Sequence, residues 1–401
     1  MPDIRRRARL WPAFPISLAA LTAFFLPLSV LPVQAQADGA SFSVAAMTSA
    51  SFLAGVVIGE LGAAAVLDRL GARRAVVFGL LAMALPTALL TAIGAPAMWA
   101  LCSVLRGLGF ALVAVAAAAV VANGADRRRR GGTIGWYGVV AGIPAIAALP
   151  LGVLLTAQAG WATGLLVAAG AAACGIPFAL LLPSDGLPPA PRRGLRAVLV
   201  HRGASRQAAA LALGAAASGA LIAYAPVAVA RTDPALAGAL LLAASVSATI
   251  ARLPSGILGD RIGPHRLIAP GLVVSAAGVA LCAGNGWLAP AAGAIGIGLG
   301  FGILQNSTLH AMTAILPAAL VGAVSAGWNL AYDVGLLAGT LLIAGLAALA
   351  PPGAVLPMLA VLLAMASASL LAAMRKDASW SSLDGLDACR TGVLSMESPN
   401  S

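Results

Sequence analysis

The chain has 401 residues, of which 61% are apolar and only 9% charged, and 24 Arg plus Lys against 13 Asp plus Glu give a formal net charge of +11. A soluble domain carries about 45–50% apolar and about 25% charged residues, so this composition excludes a soluble globular enzyme, a disordered chain and a disulfide scaffold, and leaves a polytopic membrane protein with the lipid bilayer as its outer solvent. A basic balance can signal nucleic-acid binding; here the basic residues sit between apolar runs, which makes them topology signals instead.

A helix that crosses a bilayer needs about 20 mostly apolar residues. Twelve runs qualify: 11–33, 43–67, 74–94, 98–122, 133–157, 161–183, 207–230, 235–259, 265–285, 288–313, 319–349 and 353–374. They are apolar all round rather than along one stripe, as spans are and surface helices are not. Arg5, Arg6, Arg7 and Arg9 precede the first run, and Val33-Gln34-Ala35 resembles a signal-peptidase site. The run is longer than the about 7–15 residues of a signal-peptide core, so an uncleaved first helix is expected. Spacings of small residues, such as Gly138 with Gly142 and Gly296 with Gly300, suit close helix approach in lipid.

The expected architecture is an all-α membrane protein of twelve transmembrane helices in two six-helix bundles. Residues 1–183 form the first bundle and 207–374 the second. Residues 184–206, rich in Pro and Arg, form a cytoplasmic linker, and 375–401 a disordered cytoplasmic tail. With both termini in the cytoplasm, 21 of the 24 basic residues fall on that side, Arg231 falls outside, and Arg106 and Arg252 lie within spans. That asymmetry sets the orientation expected for a multi-pass protein of a cell (inner) membrane.

An internal repeat follows. Asp68-Arg69-Leu70-Gly71-Ala72-Arg73-Arg74 comes after the second span, and Asp260-Arg261-Ile262-Gly263-Pro264-His265-Arg266 comes after the eighth. Each reads as a tight turn whose Gly permits positive φ and whose acid suits a helix N-terminus. These residues resemble the loop signature of the major facilitator superfamily, in which a Gly, three residues, Asp-Arg, one residue and a Gly precede basic residues. Gly256, Asp260, Arg261, Gly263 and Arg266 match it. In the first copy, Asp68, Arg69, Gly71 and Arg73 match, while Ala64 replaces the leading Gly. Arg106-Gly107-Leu108-Gly109 resembles the family's intramembrane Arg motif, and Arg129-Arg130-Gly131 with Gly135 its loop before the fifth helix. The resemblance implies two pseudo-symmetric bundles that rock about a midplane cavity. The drug–proton antiporters of the superfamily carry Gly-Pro, two residues and Gly-Gly in the fifth helix. Here Gly142, Ile143 and Pro144 match in part, and the alternative is that they only kink and pack that span.

Ionisable groups inside a bilayer cost about 2.5–3.5 kcal/mol each and mark function by default. Glu60 and Asp333 are the proton-coupling candidates, with Arg106 and Arg252 as buried cations. Counting residues from the span ends pairs Glu60 with Arg252 as its charge partner, and Arg106 with Asp333; the alternative is that each charge snorkels or meets backbone carbonyls. Arg106, Tyr224, Gln305, Asn306, His310, Asn329 and Tyr332 are the substrate-cavity candidates, with interhelical hydrogen bonding as the alternative role. The four cysteines have no metal spacing, no P-loop or catalytic constellation is present, and neither cofactor nor metal is expected. The expected function is secondary transport by a monomer, proton-linked efflux of a small organic or drug-like molecule. The alternatives are uptake of a small metabolite by the same fold, or a sensor without flux.

Overall fold

The computed structural model describes residues 11–93, 96–124, 130–182, 192–317 and 320–394, and every regular element among them is helical. Helix α1 is Ala13–Ala37. Phe42–Leu89 is helical except at Gly71, whose φ of 76° and ψ of 163° divide it into α2 (42–70) and α3 (72–89). Pro96–Gly124 (α4), Arg130–Ala159 (α5) and Trp161–Leu180 (α6) complete the first bundle. The second contains Arg202–Tyr224 (α7), which ends in a π turn over Ala225–Val229, then Pro234–Ile262 (α8) and Ile268–Cys282 (α9). Leu288–Ile315 (α10), Val321–Leu349 (α11) and Pro352–Leu394 (α12) finish it. Eleven helical segments are long and apolar enough to cross a membrane, and the longest, Phe42–Ala92, contains both α2 and α3. The protein is therefore a multi-pass membrane protein with twelve crossing helices. An even number brings both chain ends and the linker to one face, the terminal face; the opposite one is the far face.

Two expectations change. The linker is not a plain connection: Arg192–Val200 is helical, and α7 already begins at Arg202. The short helix is amphipathic, and its Leu195 and Val198 lie over Gly327 of α11. His201 then caps α7, its Nδ1 accepting from the Ala204 amide at 3.3 Å. The polar stretch from Asp377, expected to be disordered from its composition, continues α12 as far as Leu394. A helix already nucleated propagates more easily than a new one starts. The basic residues Arg5, Arg6, Arg7, Arg9 and Arg127 to Arg129, including the start of the resemblance before α5, lie outside the described residues.

Both repeat turns have the geometry their glycines suggest. Gly71 has φ 76° and Gly263 has φ 92°, backbone regions that L side chains rarely adopt. Close backbone contacts hold each bundle together. Gly55 and Gly107 bring α2 against α4, Gly298 and Gly302 bring α10 against α8, and Gly335 and Gly339 bring α11 against α7. Gly296 and Gly300 place α10 against Gly278 and Gly271 of α9, as the small-residue spacing suggested.

The bundles meet along α2 with α11 and α5 with α8. Near the far face, the Ser43 hydroxyl donates to the Ala344 carbonyl at 2.8 Å. There too the rings of Phe42 and Tyr224 lie 6.1 Å apart, and Gly238 of α8 faces Pro150 and Leu154 of α5.

Candidate functional site

Four polar side chains share one level. Glu60 stands ten residues from the end of α2 at residue 70, and Arg252 ten from the end of α8 at Ile262. Gln305 stands ten residues from the end of α10 at Ile315, and Asp333 twelve from the start of α11 at Val321. At a rise of about 1.5 Å per residue, all lie roughly 15–18 Å from the terminal-face ends of their helices. Arg106 lies deeper, eighteen residues from the end of α4 at Gly124.

Within this layer the charges do not pair as residue counting suggested. Glu60 meets Asp333 rather than Arg252: the two carboxyl groups lie within hydrogen-bonding reach across the α2–α11 seam. The counts failed because α2 runs on to the break at Gly71 and α11 starts later than expected, which brings the two acids level. Asp333 is 4% exposed. Glu60 Oε2 and Asp333 Oδ1 are buried and receive no hydrogen bond from any described group. An ionised carboxylate can only accept, so a hydrogen bond between two carboxyl groups requires a proton on one of them. Two such groups in contact titrate as a pair.

Arg252 turns instead to its own bundle. Its Nε donates to Gln305 Oε1 at 2.8 Å, and the Asn306 amide donates to the Arg252 carbonyl at 2.6 Å. Gly256 leaves the room Asn306 needs, since a Cβ there would come within 2.6 Å of its Nδ2. Asn306 thus makes an interhelical bond between α10 and α8, the alternative role weighed from sequence. Arg252 Nη1 faces Gly142 of α5, on the other bundle. Beside it, three rings form a ladder. Phe301 and Tyr332 stack at 5.6 Å and 19°, and Trp328 and Tyr332 at 6.4 Å and 17°. The Trp328 indole donates to Thr308 Oγ1 at 3.1 Å, which fixes that ring. Asn329 is exposed.

The other candidates lie apart. Arg106 is 1% exposed within the first bundle, not beside Asp333. Its Nη2 donates to the Ala23 carbonyl at 3.4 Å, and its guanidinium carbon sits 4.8 Å from the centre of the Phe52 ring. Tyr224 is at the far-face end of α7, against Phe42. His310 Nδ1 lies 3.7 Å from Asp260 Oδ1, near the terminal face, so it joins the second repeat turn and not the polar layer. In the first turn Arg73 Nε donates to the Leu182 carbonyl at 2.7 Å and ties the turn to the end of α6. Sequence reading missed Phe301 and Phe52, which no pattern distinguishes from ordinary core. Trp328 and Tyr332, four residues apart on one helix face, are a spacing from which the ladder could have been found.

A twelve-helix, two-bundle chain with a polar layer at its seam can be compared with known proteins. The sequence profile of the Major Facilitator Superfamily matches residues 13–232, more than half of the chain. The chain belongs to that superfamily. Curated proteins give no match. Among solved structures, this superfamily member is similar to a POT family transporter in complex with a thioalcohol-conjugated peptide, with a TM-score of 0.73 and 13% identity over 92% of this chain and 96% of that one. A peptide transporter POT in complex with alafosfalin gives 0.71 and 16%, covering 92% and 94%. The nucleoside transporter NupG gives 0.69 and 12%, covering 90% and 98%. At such identities the likeness establishes the shared transporter fold and no substrate.

Proposed function

We propose that this superfamily member is a proton-linked secondary transporter of a small organic compound, and that Glu60 and Asp333 together carry the coupling proton. The observation behind this reading is the contact between the two carboxyl groups across the α2–α11 seam. One acid comes from each bundle, so a proton between them joins the bundles, and its loss leaves like charges that push them apart. Rocking of the bundles would then be tied to protonation, which a carrier driven by a pH gradient requires. The distribution of basic residues supports a cytoplasmic terminal face, in a cell inner membrane. The carrier works as a monomer, with substrate, protons and lipid as its partners.

Export is the first reading; it rests on a partial antiporter signature at Gly142, Ile143 and Pro144, in which one residue separates the Gly from the Pro and the Gly pair is missing. Uptake of a small metabolite by the same fold is the second reading; the similar structures are a nucleoside transporter and peptide transporters. The sign of the response to an imposed pH gradient in proteoliposomes separates them. In Glu60→Gln and Asp333→Asn, pH-driven flux is expected to vanish while exchange at equal pH persists. Full pH-driven flux in both variants defeats the coupling role.

A further inference from the structure

We infer that the wall of the second bundle formed by Arg252, Gln305, Trp328 and Tyr332 is a subsite for an aromatic carboxylate. The inference rests on the transporter reading and adds a substrate class to it.

Arg252 is a half-buried cation with one nitrogen engaged. Nε is held by Gln305, which aims the guanidinium, while Nη1 is directed over Gly142 toward the opposite bundle. No carboxylate among the described residues pairs with it, whereas His310 of the same bundle lies beside Asp260. A planar guanidinium with free donors matches a carboxylate in two-pronged fashion. Placing such a cation in a membrane-spanning helix is costly without a partner, and an anion bound between the bundles supplies one. Next to it stands the ring ladder. Phe301 is buried at one end, Tyr332 is the middle rung, and Trp328 at the other end is partly exposed and offers stacking area. Ring stacking contributes about 0.5–1.5 kcal/mol beyond area burial.

The acid pair narrows the choice. An organic cation would be drawn to Glu60 and Asp333, but Asp333 is 4% exposed, and its Oδ1, like Glu60 Oε2, is buried. That leaves Arg252 as the charge in the layer for an anion to meet.

The test is binding to the purified, detergent-solubilised full chain at one fixed pH, followed by tryptophan fluorescence and melting temperature. The probes are naphthoate, naphthamide, decalin carboxylate and naphthylmethylammonium. Naphthoate is expected to bind about ten- to hundredfold more tightly than naphthamide, the worth of a hydrogen bond to a charged group. Decalin carboxylate and the ammonium are expected to be weaker than naphthoate. R252Q should erase the preference of acid over amide, R252K should keep part of it, and W328L should erase the preference for the aromatic ring alone. Equal binding of acid and amide, no binding of naphthoate, or tighter binding of the ammonium overturns the subsite. The wild-type series decides even where a variant does not fold. Because no gradient or flux is involved, loss of pH-driven transport with naphthoate binding intact strikes the coupling proposal and leaves this one standing.

Discussion

Arg106 is the largest fully buried side chain among the described residues, and its environment sets what its replacement does. A buried guanidinium is tolerated only with partners. Here they are the Ala23 carbonyl and the face of Phe52, while Nε has none among the described residues. Arg106→Gln removes the ring contact and is expected to lower stability by about 1–2 kcal/mol, since a desolvated cation–π pair is worth about that much. A melting curve in detergent that matches the unmutated protein would mean the ring contact contributes nothing. The same residue marks a limit of sequence reading. Ionisable residues within spans were identifiable at once as buried groups, because so few charges occur there. Their partners were not, because depth counted along one helix ignores where that helix ends and which way its face turns. Glu60 with Asp333, and Arg252 with Gln305, became visible only when helix ends and packing were fixed.

At the scale of elements, the paired turns were legible because glycine at matching positions has a backbone reason. Gly71 combines φ 76° with ψ 163°, a region essentially reserved for glycine. Gly71→Ala is expected to cost about 1–3 kcal/mol, and Gly263→Ala a similar amount for its own positive φ. Thermal unfolding of the two variants checks this, and an unchanged midpoint in either would count against strain at that turn. The glycines of α11 act differently. Gly339 touches the backbone of Ala216 in α7, so any side chain forces the helices apart. Gly339→Val is expected to destabilise by about 1–3 kcal/mol through overpacking. If it does not, α11 and α7 must separate more freely than their contact implies. The helix inside the linker was less legible: Pro and Arg dominate the count there, and they mask the two apolar residues, Leu195 and Val198, that dock it on α11.

For the whole molecule, the distribution of bundle contacts decides which face can open. Ser43 with Ala344, Phe42 with Tyr224, and Gly238 with Pro150 all join the bundles near the far face. The acid pair joins them at the polar layer, and the contact of His310 with Asp260, near the terminal face, lies within the second bundle. This arrangement is the one expected of a carrier closed at the far face, where rocking must break the Ser43–Ala344 contact to admit solute from that side. A thiol-specific bifunctional linker placed across that contact should therefore hold the carrier in this state. The experiment replaces Cys102, Cys174, Cys282 and Cys389, introduces Ser43→Cys and Ala344→Cys, and compares flux before and after linking. Linking is expected to abolish net transport while leaving naphthoate binding from the terminal face intact, because Arg252 lies on the terminal-face side of that contact. Reductive release of a cleavable linker should restore flux. Undiminished transport in the linked protein would mean that the far-face seam does not part during the cycle, and the rocking of the two bundles would have to be abandoned for this chain.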